Sequence, residues 1–232
     1  MKKTILLSSI FAVGAALATD IDSSVIGTLP VPVVAGQQLM AVPFADNDEG
    51  SIAVSDMVKT ADLKPGTKLY VATSSGYDMW TLGDDGKWKA AQKVTIGNDG
   101  NAIADESKDA TEATVKRGDA FWLETLDEQS GNVTLLGGKS DAATQVVPGG
   151  WNLIGNRGLV KVTVDQDSIT GAATGDQIVV SKNGSLSYWT FKTGKGWRLP
   201  DGNGGWQKDV KLTLEAGQGC WLKTKNSVTV NF

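Results

Sequence analysis

The chain contains the same unit twice. YDMWTLGDDGKW, Tyr77 to Trp88, aligns without a gap on LSYWTFKTGKGW, Leu186 to Trp197, and each copy sets two tryptophans eight residues apart, Trp80 with Trp88 and Trp189 with Trp197. GQQLMAVPF from Gly36 corresponds to GWNLIGNRG from Gly150, KPGTKLYV from Lys64 to ATGDQIVV from Ala173, and GDAFWLET from Gly118 to GQGCWLKT from Gly217. Matches that recur in one order define a tandem duplication. Whatever one unit folds into, the other must fold into as well, with a joint near Gly137 to Pro148.

The unit reads as strands. Apolar runs of four to eight residues, rich in Val, Ile, Thr and Trp, are punctuated by Gly, Asp, Asn and Pro. Helix signals are confined to SDMVKTADL, Ser55 to Leu63, where Ser55 is placed to cap one or two turns. GDDGK and KTGKG read as hairpin turns in which glycine and aspartate take positive φ; centring them on Asp85 and Gly194 sets Leu82 opposite Trp88 and Phe191 opposite Trp197. Alternation then puts Trp80, Leu82 and Trp88 on one face and Tyr77 and Met79 on the other, so that either both faces are buried or one is core and the other an aromatic surface platform. Residues 97–113, polar and acidic, read as a variable loop, as does DGNGGWQ in the second copy. The expected fold is all-β: two tandem pseudo-symmetric antiparallel modules, each a small sandwich or partly closed barrel, packed side by side about an approximate twofold.

The first eighteen residues have the parts of a secretory signal: Lys2 and Lys3, an uncharged apolar stretch from Ile5 to Leu17, and Ala16-Leu17-Ala18 as a cleavage site. That stretch is shorter than the ~20 residues a membrane-spanning helix needs. The division is therefore 1–18 signal peptide, 19–137 first repeat and 138–232 second repeat, with export to the periplasm, cell surface or medium and no membrane span after processing. SVTVNF at the C-terminus alternates as an outer-membrane barrel strand would, but NVTLL, Asn132 to Leu136, holds the same place in the first copy, so the strand belongs to the module.

GWNLIGN at Gly150 to Asn156, followed some sixty residues later by GQGCWLKT, resembles a segment pair of secreted proteins from the Bacteroidetes and Verrucomicrobia groups, in which a GWNLIGNP strand opens and a GQGFW strand closes a small β module. Arg157 stands where proline is usual, although Pro43 keeps it in the first copy, and Cys220 replaces the aromatic kept as Phe121. The resemblance implies an exported β module, of a kind that accompanies adhesive or surface-display proteins, and implies no activity.

No histidine occurs in the sequence, so Ser-His-Asp, Cys-His and histidine-metal sites have no base or ligand to build on. The natural carboxylates differ between copies, Asp119 against Gln218 and Glu124 against Lys223, and no pair suited to glycoside hydrolysis stands out. ADNDEG, Ala45 to Gly50, groups hard oxygen donors but lacks the spacing of an EF-hand loop and reads as an acidic turn. The lone cysteine, Cys220, reads as a core residue. The expectation is a chain that is no enzyme and holds no cofactor or metal. The net charge of −4, which becomes −6 once Lys2 and Lys3 are removed, and the scatter of the remaining basic residues argue against polyanionic partners, nucleic acid and anionic membrane included.

Eight tryptophans remain to be explained. Trp80, Trp88, Trp122, Trp189, Trp197 and Trp221 recur in both copies and are assigned to the repeat core. Trp151 and Trp206 lack aromatic counterparts and, with Tyr77 and Tyr188, are the candidates for glycan or partner contacts, since flat aromatic faces stack on sugar rings. The leading functional expectation is a non-catalytic structural or adhesive surface protein, partnering itself or other surface proteins through edge strands; the alternative is a carbohydrate-binding module with exposed tryptophan platforms.

Overall fold

A computed structural model describes residues 26–45, 50–73, 76–91, 93–96, 102–105, 109–138, 144–182 and 185–232, giving only the backbone for 26, 93–96 and 102–105. The segment expected as a signal and the acidic turn at 46–49 lie outside the described residues. The fold is all-β, with one 3-10 turn at Thr60–Asp62. In the first repeat the strands are β1 (Ile26–Val33), β2 (Gly36–Ala41), β3 (Ser51–Ala53), β4 (Lys68–Thr73), β5 (Gly76–Leu82), β6 (Trp88–Ala90), β7 (Lys93–Ile96), β8 (Ala102–Asp105), β9 (Thr114–Lys116), β10 (Ala120–Thr125) and β11 (Gly131–Gly138). The second has β12 (Gln145–Val147), β13 (Gly150–Gly155), β14 (Val162–Thr163), β15 (Ile169–Thr170), β16 (Gln177–Lys182), β17 (Ser185–Lys192), β18 (Gly196–Arg198), β19 (Thr213–Leu214), β20 (Gly219–Thr224) and β21 (Val228–Val230).

The duplication is visible in the topology. Each repeat has a five-stranded antiparallel sheet in the same order, β2-β10-β4-β5-β6 and β13-β20-β16-β17-β18. Smaller sheets cover one face of each: β1-β11 and β3-β9 in the first repeat, β12-β21-β15 and β14-β19 in the second. The result is sandwich-like, and no sheet closes into a barrel among the described residues. Each half buries its own apolar cluster, the first around Trp80, Phe121 and Leu135, the second around Ile178, Trp189 and Leu222. The terminal strand β21 pairs with β12 and β15 inside the second module.

Both hairpins have the registers expected, Leu82 opposite Trp88 and Phe191 opposite Trp197. Positive φ falls on Gly86 and Gly194 and on neither aspartate; Asp85 instead accepts a hydrogen bond from the Lys87 amide at 3.3 Å. Trp80, Leu82 and Trp88 are buried while Tyr77 is exposed, so the sheet has one core face and one open face.

Three expectations are corrected. Ser55 caps no helix: its hydroxyl donates to Asp56 Oδ1, and the 3-10 turn starts after Lys59 without a side-chain cap. Residues 97–113 are not loop throughout, because β8 pairs with β7 in a hairpin that the second repeat lacks. Trp122 and Trp221 belong to neither core cluster. They lie half-buried on the open faces, since alternation along β10 and β20 gives the core to Phe121 and Leu123, and to Cys220 and Leu222.

The repeats meet about a pseudo-twofold. The Ala41 amide donates to the Gly217 carbonyl at 2.8 Å, and its counterpart Gly155 donates to Gly118, the counterpart of Gly217, also at 2.8 Å. Met40 bridges Gln218 as Ile154 bridges Asp119. Such reciprocity is the signature of an isologous interface. Equivalent residues face each other across it: Trp122 and Trp221 with ring centroids 5.0 Å apart, and Ala41 against Gly155, where a Cβ would collide. Arg117 adds a tie, its Nε donating to the Pro43 carbonyl and Nη2 to that of Arg157. Arg157, which stands where the first repeat has Pro43 in the aligned motif, is itself buried and donates through Nε to the Phe232 carbonyl.

Candidate functional site

The open faces of the two sheets converge at this junction and leave a groove of about 940 Å³. One wall is the open face of the second sheet. Register places Leu153, Trp221, Val179 and Tyr188 in a single row across β13, β20, β16 and β17, and all four line the groove. The opposing wall is the tip of the β4–β5 hairpin, including Tyr77, together with the β9–β10 turn.

Of the four candidate contact residues, the groove gathers three: Trp151 (55% exposed), Tyr188 (50%) and Tyr77 (47%). Trp206 (37%) lies outside it, with Lys192 Nζ 5.0 Å from its ring centroid. Trp151 carries a similar partner, Lys223 Nζ at 5.2 Å, directly across from it in the β13–β20 register. Leu186 and Val146, both exposed, complete an apolar lining that the sequence reading did not single out. Leu186 was legible in principle as the counterpart of Tyr77; Val146 was not, because the exposure of a valine depends on what covers it.

The groove has a polar floor. Gln145 Nε2 donates to Asp119 Oδ1 at 2.6 Å across the two repeats, and burial pushes the Asp119 carboxyl above its ordinary value despite that bond. The pseudo-equivalent place on the other side of the twofold is filled differently. A side chain on Gly217 would meet Val31 and Leu29 of β1, whereas one on Gly118 would meet Gln145 and Arg157. A long β1 of eight residues therefore packs one side with apolar groups, while the three-residue β12 leaves the other open.

Glu124 and Cys220 are committed to the structure. Glu124 accepts from Gln37 Nε2 at 2.9 Å and Tyr70 OH at 2.7 Å and pairs with Lys68 at 3.3 Å, bonds that hold its carboxyl below the ordinary range. The Cys220 thiol is fully buried, and desolvation pushes it up to about 12, leaving no thiolate at neutral pH. No cluster of three or more Cys, Asp or Glu residues is arranged to hold a metal ion among the described residues. No helix is long and apolar enough to cross a membrane among them either.

What the arrangement offers is contact: flat and branched apolar groups along two walls, with amide and carboxyl groups beneath. No protein-family profile, curated protein or solved structure matches the chain.

Proposed function

We propose that this is an exported, non-catalytic, surface-associated module that binds carbohydrate in the groove between its repeats. The observation that carries the reading is the concentration of exposed apolar groups: Tyr77, Val146, Trp151, Leu186 and Tyr188 all line one groove, and three of them are aromatic. Sugar rings present apolar C–H faces and hydroxyl rims, which match aromatic walls above a floor carrying Asp119 and Gln145. Export is supported by the signal-like first eighteen residues.

Assembly through open strand edges has less in its favour. Of the edges of the two main sheets, β2 and β13 meet the other repeat at the joint and β6 and β18 have three residues each, while β1, long enough to template a partner, carries Pro30 and Pro32, which remove two backbone donors.

The test is tryptophan emission of the full chain titrated with a panel of soluble polysaccharides, followed by Trp151→Ala and Tyr188→Ala. The expected result is a saturable shift with one glycan class, and roughly a tenfold loss in affinity for each variant, the amount a stacked ring contributes to such a contact. Unchanged emission and unchanged iodide quenching across the panel would refute the reading.

A further inference from the structure

Beside the apolar row on the second sheet runs a polar one. Register sets Trp151 opposite Lys223, Lys223 opposite Gln177, Gln177 opposite Thr190 and Thr190 opposite Arg198, one residue from each of the five strands. All five project from the open face, because their neighbours Leu222, Ile178, Trp189 and Trp197 project into the core. At a strand spacing of about 4.8 Å the row is roughly 19 Å long, with its two cations about 14 Å apart.

The corresponding row of the first sheet, Gln37, Glu124, Lys68, Thr81 and Lys89, is closed on itself. Lys68 pairs with Glu124, Gln37 donates to Glu124, and Lys89 pairs with Asp85. In the second sheet the carboxylate position has become Lys223. Among the described residues, neither Lys223 nor Arg198 has a carboxylate within ion-pair distance, neither Gln177 nor Thr190 makes a side-chain hydrogen bond, and Arg198 Nε is buried without an acceptor. A buried donor left unpaired costs free energy, and an external acceptor would recover it. Beyond Thr190 on the same face, Lys192 lies against Trp206. The row is thus bounded by two exposed tryptophans, each with a lysine over its ring.

We infer that this face binds an anionic glycan, its sugar rings resting on Trp151, Trp221 and Tyr188 and its carboxylate or sulfate groups on Lys223 and Arg198, with Lys192 and Trp206 at the far end. The inference rests on the carbohydrate reading above and names the ligand class within it. It also accounts for Trp206, which the groove alone does not. Local charge decides here rather than the net charge of −4, because a row of unpaired cations acts on a ligand in contact while distant carboxylates are screened beyond ~10 Å in ordinary salt.

The test is calorimetric titration of the full chain with four probes of matched length: an oligouronate, a sulfated oligosaccharide, a neutral oligohexose and a single-stranded oligonucleotide. The acidic saccharides should bind tighter than the neutral one, and the two together tell carboxylate from sulfate recognition. Lys223→Gln with Arg198→Gln should weaken the acidic saccharides roughly tenfold, as the loss of two exposed ion pairs implies, leave the neutral one unchanged and flatten the salt dependence. Lys68→Gln with Lys89→Gln on the first sheet should change nothing. Equal affinity for neutral and acidic saccharides, unaffected by the double variant, would overturn the inference and leave the carbohydrate reading standing. Tighter binding of the oligonucleotide than of either acidic saccharide would overturn it in favour of a general polyanion surface. Binding of no saccharide would bring down both.

Discussion

At the scale of single residues, the duplication is an internal control, because each position has a counterpart in the same architecture. Cys220 stands where the first repeat has Phe121, and both are fully buried. The second core has therefore closed around the smaller side chain, and restoring the aromatic should overpack it. Cys220→Phe is expected to destabilise the chain by ~1–3 kcal/mol, read as a lower denaturant midpoint at unchanged slope; an unchanged or raised midpoint would mean that the site holds unused space. The same comparison shows where function departs from packing. Glu124 against Lys223, and Gln37 against Trp151, turn a self-satisfied polar ladder into an open one with no change of backbone. Such an exchange is legible as a pair of letters, but its consequence depends on Lys68 and Tyr70 being the next neighbours, which only the sheet order supplies.

Among the elements, the first-sheet ladder across β2, β10 and β4 has a pH signature. Burial, reinforced by the Glu124 carboxylate, raises the Tyr70 phenol from 10.0 to about 12. The neutral phenol is the form favoured by folding, so its stabilising effect is complete below pH 10 and is lost as the pH rises from there through about 12. A phenolate absorbance titration should show a step near 12 that disappears in Tyr70→Phe; persistence of that step in the variant would remove Tyr70 as its source. Strand existence and hairpin register were readable from alternation and glycine placement, as Leu82 opposite Trp88 demonstrates. The β7–β8 hairpin was not, because its strands KVTI and AIAD have only four residues each, too few to establish a period, and β8 sits inside a polar, acidic stretch. The assignment of Trp122 and Trp221 to the core failed for a related reason. A residue kept by both copies can serve the joint between them as well as the core of each.

For the whole molecule, the joint is the most demanding region. Ala41 faces Gly155 and Ala120 faces Gly219 across the pseudo-twofold, each pair leaving room for one methyl group only. Gly155→Ala, at a position without positive φ, should therefore destabilise by ~1–3 kcal/mol through crowding against both Cβ and Cα of Ala41, read as a lower denaturant midpoint; Ala41→Gly in the same chain should return only part of it, because the Ala41 Cα stays 2.7 Å from the added Cβ, and an unchanged midpoint in Gly155→Ala alone would show that the joint has room to spare. By itself the sequence determined the all-β class, the two units and their hairpins, because a duplicated pattern of alternation, glycine turns and buried tryptophans admits little else. Tertiary structure alone decided where the two units touch, that Tyr77, Trp151 and Tyr188 line one groove, and that Lys223 and Arg198 have no carboxylate partner among the described residues. Those properties arise between strands far apart in the chain, and no local period or propensity encodes the distance between them.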